Sequence, residues 1–367
     1  MSHIVIDARE LRTSTGRYVE RLLHYLQEID HHNDYTVLIK PKDLDGWKPR
    51  NPNFKPVACP HEEFTFAEQI GLKLQIEKLN PDLVHFAMTQ QPISYRGKTV
   101  TTIHDLTTMR FDNPAKNKLV FRFKQGVYSY VIHRVAKKSI ALITPTQFVK
   151  EDVATYTGVD PEKITVTLES ADVIHDPVEP FGSLKGKQFL MYVGRPTPHK
   201  NLERLIEAFV TLKGQHPDLR LVLAGKKDDN YRRIERDVAA RGITNVIFTD
   251  FITDGQLRWL FENCAAYVFP SLSEGFGLPG LEAMLLGAPV VSSNATCLPE
   301  VYGDAAHYFD PLDVQNMADA INEVLTNKEL RQALIKKGPV QAQKYSWRRM
   351  AEQTLDVYNI ALAADAH

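Results

Sequence analysis

Ten short apolar runs, each followed by a polar or amphipathic stretch, limit this chain to an α/β architecture. In the first half Ile4–Ile6, Tyr35–Ile39, Leu83–Phe86, Thr99–Ile103 and Ala141–Thr144 read as strands. In the second half the strands are Phe189–Val193, Leu219–Ala224, Val246–Phe248, Ala266–Phe269 and Pro289–Ser292. Helical spacing of apolar residues marks Gly16–Ile29, where Tyr18, Leu22, Leu23, Leu26 and Ile29 share a face. The second half repeats that stripe in Leu202–Leu212, Tyr231–Ala240, Gln256–Cys264 and Gly280–Leu286. Asp172–Lys187 interrupts the pattern with Pro177, Pro180, Gly182 and Gly186 and few apolar residues, as an interdomain linker does. The expected organisation is therefore a first domain over 1–172, a linker over 173–187, a second domain over 188–345 and a helix over 346–367. Each domain has its own parallel sheet, and the two sheets face a cleft.

At 367 residues the chain is long enough for two proper cores. A net charge of −1 gives no bulk attraction for nucleic acid. Cys59, Cys264 and Cys297 are far apart and form no C-x-x-C pair, so they read as small apolar residues in a reducing compartment. The opening MSHIVIDARELR puts charges where a signal peptide needs an apolar core, and no window reaches the length of a membrane span. The expectation is a cytoplasmic protein.

Gly275-Phe276-Gly277-Leu278-Pro279-Gly280 fits the G-x-G-x-x-G fingerprint of dinucleotide sites, with a strand before and a helix after. The acid that should hold a ribose at the end of the next strand is missing, since Ser293-Asn294 stands there. The motif also sits late in its domain, which argues against a nicotinamide or flavin enzyme. Glu274 precedes the glycines and Glu282 follows eight positions later. A helix N-terminus attracts an anion such as pyrophosphate, and Gly275 and Gly277 let main-chain N–H groups come close. Two carboxylates framing such a loop suit a ligand with both phosphates and hydroxyls. They equally suit a dipole-complementing Glu282 and a solvated Glu274.

Gly194-Arg195-Pro196-Thr197-Pro198-His199-Lys200-Asn201 follows the first strand of the second domain. Its Arg195 and Lys200 supply the cations that a departing diphosphate needs. In the first domain, Thr101-Thr102-Ile103-His104-Asp105-Leu106 puts His104 and Asp105 at a strand's carboxyl end, where ligands bind parallel sheets; a lone histidine is more often structural, but this position favours a site.

Together these residues resemble a retaining glycosyltransferase of family 4 with the GT-B fold, two Rossmann-like domains around a cleft. The likeness is close from Phe189 to Trp347: the Gly194-Arg195 turn with Lys200, the E-x7-E element Glu274 to Glu282, Ala288-Pro289-Val290-Val291 and Leu298-Pro299-Glu300-Val301. Ile6-Asp7-Ala8-Arg9, Gly16-Arg17-Tyr18 and Ile103-His104-Asp105-Leu106 extend it into the first domain, towards bacterial mannosyltransferase-like members that build polysaccharide or lipid-linked glycans. The resemblance implies that Arg195 and Lys200 hold the donor diphosphate, Glu282 the ribose and Glu274 the sugar hydroxyls. It further implies that main-chain amides of Phe276, Gly277 and Leu278 meet sugar and phosphate, that His104 lies near the anomeric carbon, and that Gly16 belongs to a loop closing over the phosphates. The tail helix, Ser346–Ala364, crosses back to the first domain in this fold.

Two stretches depart from the family pattern. Ser14-Thr15-Gly16-Arg17-Tyr18 lacks a fuller glycine loop, and Thr167-Leu168-Glu169-Ser170-Ala171-Asp172 replaces an asparagine-glycine strand end. The implied reaction needs no metal or cofactor, only a nucleoside-diphosphate sugar as donor. By resemblance that donor is GDP-mannose, with a UDP-hexose as the second choice, and the acceptor is a glycan or a lipid-linked hydroxyl. No residue is an obvious nucleophile, so same-face substitution is expected.

From Asn113 to Lys150 there is no Asp or Glu, while Lys116, Lys118, Arg122, Lys124, Arg134, Lys137, Lys138 and Lys150 lie among Phe121, Phe123, Tyr128 and Tyr130. Such a segment either rests peripherally on an anionic membrane through Lys116–Lys138, or covers the first sheet with its aromatics and solvates its cations.

Overall fold

The computed structural model describes residues 1–12, 16–111 and 118–364, and for 118–123 the backbone only. Ser14, Thr15 and Lys116 lie outside the described residues, as do the side chains of Lys118, Phe121, Arg122 and Phe123. The chain divides into two compact units.

The first unit comprises Met1–Met109, Arg122–Glu169 and Ser346–His367. Its strands are β1 (His3–Asp7), β2 (Asp34–Ile39), β3 (Phe54–Ala58), β4 (Leu83–Phe86), β5 (Thr99–Thr102), β6 (Ala141–Thr144) and β7 (Ile164–Val166). They pair in the order β3-β2-β1-β4-β5-β6-β7, every pair parallel. Sequence order reverses between β1 and β4, so the connections from these neighbours diverge and leave a crevice at their carboxyl ends. Continuous burial of Ile4, Val5, Ile6, Leu83, Val84 and Phe86 is what a parallel sheet covered on both faces requires. Each such side chain contributes about 1.5–3 kcal/mol.

Helix Trp347–Ala363 belongs to this unit. Ser346 caps it by accepting from the Arg349 N–H, and Trp347, Met350, Val357, Tyr358 and Ala361 are buried. Its far end is held by Lys98, whose ammonium donates to the Leu362 and Ala364 carbonyls at 2.7 and 2.6 Å. The Tyr358 hydroxyl lies 2.6 Å from Nδ1 of His85 on β4.

The second unit holds Arg110–Phe121 and Ser170–Tyr345. Its strands are β8 (Phe189–Val193), β9 (Arg220–Ala224), β10 (Val246–Phe248), β11 (Ala266–Phe269), β12 (Val290–Ser293) and β13 (Ala306–Phe309). They run parallel in the order β10-β9-β8-β11-β12-β13, reversing between β8 and β11. Residues 176–179 lie against helix Asp254–Asn263: the Glu179 N–H donates to the Gly255 carbonyl and Arg258 donates to the Asp176 carbonyl.

Three strands went unread in the sequence. β3, β7 and β13 are all sheet edges, with half-exposed positions and, in β3, Pro56. An edge strand has one free flank, so it can carry the proline or polar residues that break the apolar run in β3, β7 and β13, while the edge β10 keeps an all-apolar Val246-Ile247-Phe248.

Candidate functional site

In the second unit, the turn after β8 and the loop after β11 occupy the point where strand order reverses. They are stitched together. The Leu272 N–H donates to the His199 carbonyl at 2.7 Å. Buried Asn201 adopts a left-handed conformation (φ 60°) and sends its amide to the carbonyls of Pro270 (3.1 Å) and Pro311 (2.8 Å). One side chain thus ties together the turn after β8 and the segments that follow β11 and β13.

That frame brings two sequence-predicted residues into contact. The Lys200 ammonium donates to Glu274 Oε1 at 2.6 Å and lies 5.5 Å from the centre of the Phe269 ring. Both side chains are mostly but not wholly buried. The Glu274 main chain is fixed from the loop after β12: its N–H donates to Thr296 Oγ1 at 3.1 Å, and its carbonyl accepts from Cys297 Sγ. Cys59, Cys264 and Cys297 are all free thiols and buried. Arg195 stands on the same turn as Lys200 and is exposed, with its carbonyl accepting from the Tyr192 hydroxyl.

The glycine loop divides its work. Gly277 (φ 95°) caps helix Leu278–Leu285 in a conformation that side-chain-bearing residues resist, and its carbonyl accepts from Tyr302 at 2.5 Å. Gly280 faces the Tyr302 ring, which leaves no room for a methyl group, so this glycine serves helix packing. The Phe276 side chain is buried against Tyr345, ring centres 5.4 Å apart. Because the helix starts at Leu278 and not Gly280, Glu282 is its fifth residue and nearly buried. Glu282 thus lies beyond the first turn, and the dipole-complementing role open to it in the sequence does not account for this acid.

In the first unit, His104 follows β5. Its Nε2 lies 3.0 Å from the Ala87 carbonyl oxygen and its Nδ1 3.3 Å from Glu169 Oε1. The Tyr18 ring meets it edge-on at 4.8 Å. Burial alone lowers the His104 pKa, but the Glu169 hydrogen bond and charge outweigh it, so the pKa is raised. Glu169 was not among the expected site residues. Gly16 is the buried first residue of helix Gly16–Ile29 and not part of a loop; a side chain there would strike the carbonyls of Glu10 and Leu11. Among the described residues, no three His, Cys, Asp or Glu side chains gather as a metal ligand set.

Known proteins show the same two-part arrangement. The family described as Glycosyltransferase Family 4 matches residues 15–168, and Glycosyl transferases group 1 matches 176–341. The chain is 32% identical to the serotype-specific mannosyltransferase WbdA of Escherichia coli over 95% of its own length, and spans 46% of that relative. It is 28% identical to the O-antigen chain mannosyltransferase B of the same organism, covering 72% of this chain and 70% of that one. In structure it is similar to sucrose-phosphate synthase from Thermosynechococcus elongatus, with a TM-score of 0.76 at 18% identity over the whole of both chains. With matching domains in both halves and these two parallel sheets, the chain belongs to glycosyltransferase family 4 and has the GT-B fold.

Proposed function

We propose that the chain is a retaining hexosyltransferase that moves mannose from GDP-mannose to a hydroxyl of a glycan or lipid-linked acceptor in polysaccharide assembly. One observation carries this reading: the Lys200–Glu274 pair at 2.6 Å, set at the strand-order reversal beside a helix N-terminus. A cation, an acid and helix N–H groups at one place suit phosphate and sugar hydroxyls together. The mannosyltransferase relatives favour mannose among hexoses.

In the proposed reaction the bond from C1 to the diphosphate oxygen breaks as the acceptor oxygen bonds C1 on the same face. The acceptor proton passes to the departing phosphate. Arg195, Lys200 and the amides at Gly277 and Leu278 stabilise the charge growing on that phosphate. Glu282 takes the ribose, Glu274 the transferred sugar, and His104 acts near C1. These positive groups supply the neutralisation that a divalent ion provides elsewhere, so chelator-treated protein should keep its activity. A donor panel tests the assignment: GDP-mannose yields a new glycoside, a preference for UDP-hexoses redirects the base, and donor binding without product makes the protein a binder only.

The acceptor is proposed to lie at an anionic membrane. Phe64 and Phe66 are 71% and 89% exposed, with Ile70 and Leu74 also open to solvent. The Phe64 ring is 6.0 Å from Tyr128 on helix Lys118–Lys138, where Val127, Tyr130, Lys124, Arg134 and Lys137 are exposed. Apolar groups beside cations suit an anionic lipid surface. Lys138 is turned inward, donating to the Pro92 carbonyl at 2.6 Å, and burial pushes its pKa down to about 8. No helix among the described residues is long and apolar enough to cross a membrane. Co-sedimentation with vesicles of anionic but not neutral lipid is expected; no sedimentation with either contradicts it.

A further inference from the structure

The charge on His104 follows from its two partners. The Ala87 carbonyl at Nε2 and the Glu169 carboxylate at Nδ1 are both acceptors, at 3.0 and 3.3 Å. A neutral imidazole has one N–H and would leave a bare nitrogen against one of them. With Glu169 ionised, both nitrogens must be protonated. The remaining groups facing the ring do not cancel this. Asp105, next along the chain, adds negative charge that favours the cation. His85 on β4 is held neutral, its pKa pushed down to about 3 by burial and then by the His104 charge. Tyr18 presents a ring edge and engages its hydroxyl with Thr102 at 2.9 Å, and burial raises its pKa, so it stays neutral.

We propose that Glu169 is a positioning residue that fixes His104 as an imidazolium, and that transfer depends on this fixed positive charge. The proposal rests on the reading of His104 as part of the transfer site. With both N–H groups engaged, the ring does not give up a proton to the substrate. While protonated, it acts as a fixed charge beside a departing oxygen, which needs no reorganisation during the reaction. Glu169 lies in Thr167–Asp172, the stretch whose departure from the family pattern had no reading in the sequence.

The sign follows. The Glu169 contact raises the His104 pKa, so the cation is kept to higher pH than in a free imidazole and is lost as pH rises through the raised value. Glu169→Gln is isosteric, and its amide can donate to a bare Nδ1, so the ring keeps its place without a second proton. Nuclear magnetic resonance titration of the His104 ring in the full chain should show the pKa falling in E169Q by about 1–3 pH units, the effect of one nearby opposite charge. The basic limb of kcat against pH should move down by the same shift, with the donor KM within about twofold and rescue on lowering the pH.

An unchanged ring titration in a folded E169Q protein overturns the pairing. A shifted titration with an unmoved kcat profile overturns the dependence of transfer on the charge. If the wild-type protein transfers from no donor, the functional reading fails and the kinetic half of this proposal with it, while the ring titration still decides whether Glu169 sets the proton state. Melting of E169Q within about 3 °C of wild type separates these outcomes from misfolding.

Discussion

Lys200 and Glu274 hold one another at 2.6 Å, so in the proposed donor complex the diphosphate would take the ammonium over from the carboxylate. A charge-assisted contact contributes about 1.5–3 kcal/mol, so Lys200→Ala should weaken nucleotide-sugar binding roughly 10- to 100-fold in calorimetric titration. Glu274→Gln keeps the shape but gives up the charge; turnover in a product assay should drop about 100-fold while the melting temperature stays near that of wild type. Wild-type turnover in that variant would remove Glu274 from the chemistry. These residues were legible because each sits in a dense local motif between a strand and a helix. Glu169 was not, since its partner His104 is 65 positions away and nothing local to either residue signals the pairing. Asn201, which ties three segments together through its amide, was read only as the end of a turn, because its partners Pro270 and Pro311 are distant too.

Among elements, the helix that opens at Leu278 is fixed by Tyr302, whose hydroxyl donates to Gly277 and whose ring leaves only hydrogen at Gly280. Gly280→Ala should therefore destabilise the second unit by about 1–3 kcal/mol in chemical denaturation, by overpacking. It should also weaken donor binding, because the displaced helix carries Glu282 and the loop amides. Stability equal to wild type would show that Tyr302 gives way freely. Interior strands were readable from their unbroken apolar runs, and β8 and β11 were placed to the residue. The edges β3, β7 and β13 were not, because Lys55 and Pro56, Thr165, and His307 interrupt their apolar runs, whereas the equally short edge β10 is all apolar and was readable.

Across the whole chain, the last helix returns to the first unit and is anchored through His85, a link that no local pattern revealed. Burial depresses the His85 pKa from 6.5 to about 3, so this neutral ring contributes stability that is full above pH 6.5 and is lost as pH falls towards 3. The melting temperature should drop over that window. His85→Asn should melt lower at pH 7 but with a flatter acid slope, and an unchanged slope would move the acid sensitivity elsewhere. The account as a whole depends on the nucleotide-sugar grip in the second unit. Calorimetric titration of GDP-mannose and of UDP-hexoses into wild-type protein and Lys200→Ala tests it most directly. The predicted result is saturable binding of at least one donor by wild type, weakened at least about tenfold in the variant. Binding of none of these donors by wild type, or equal affinity in both proteins, would contradict it.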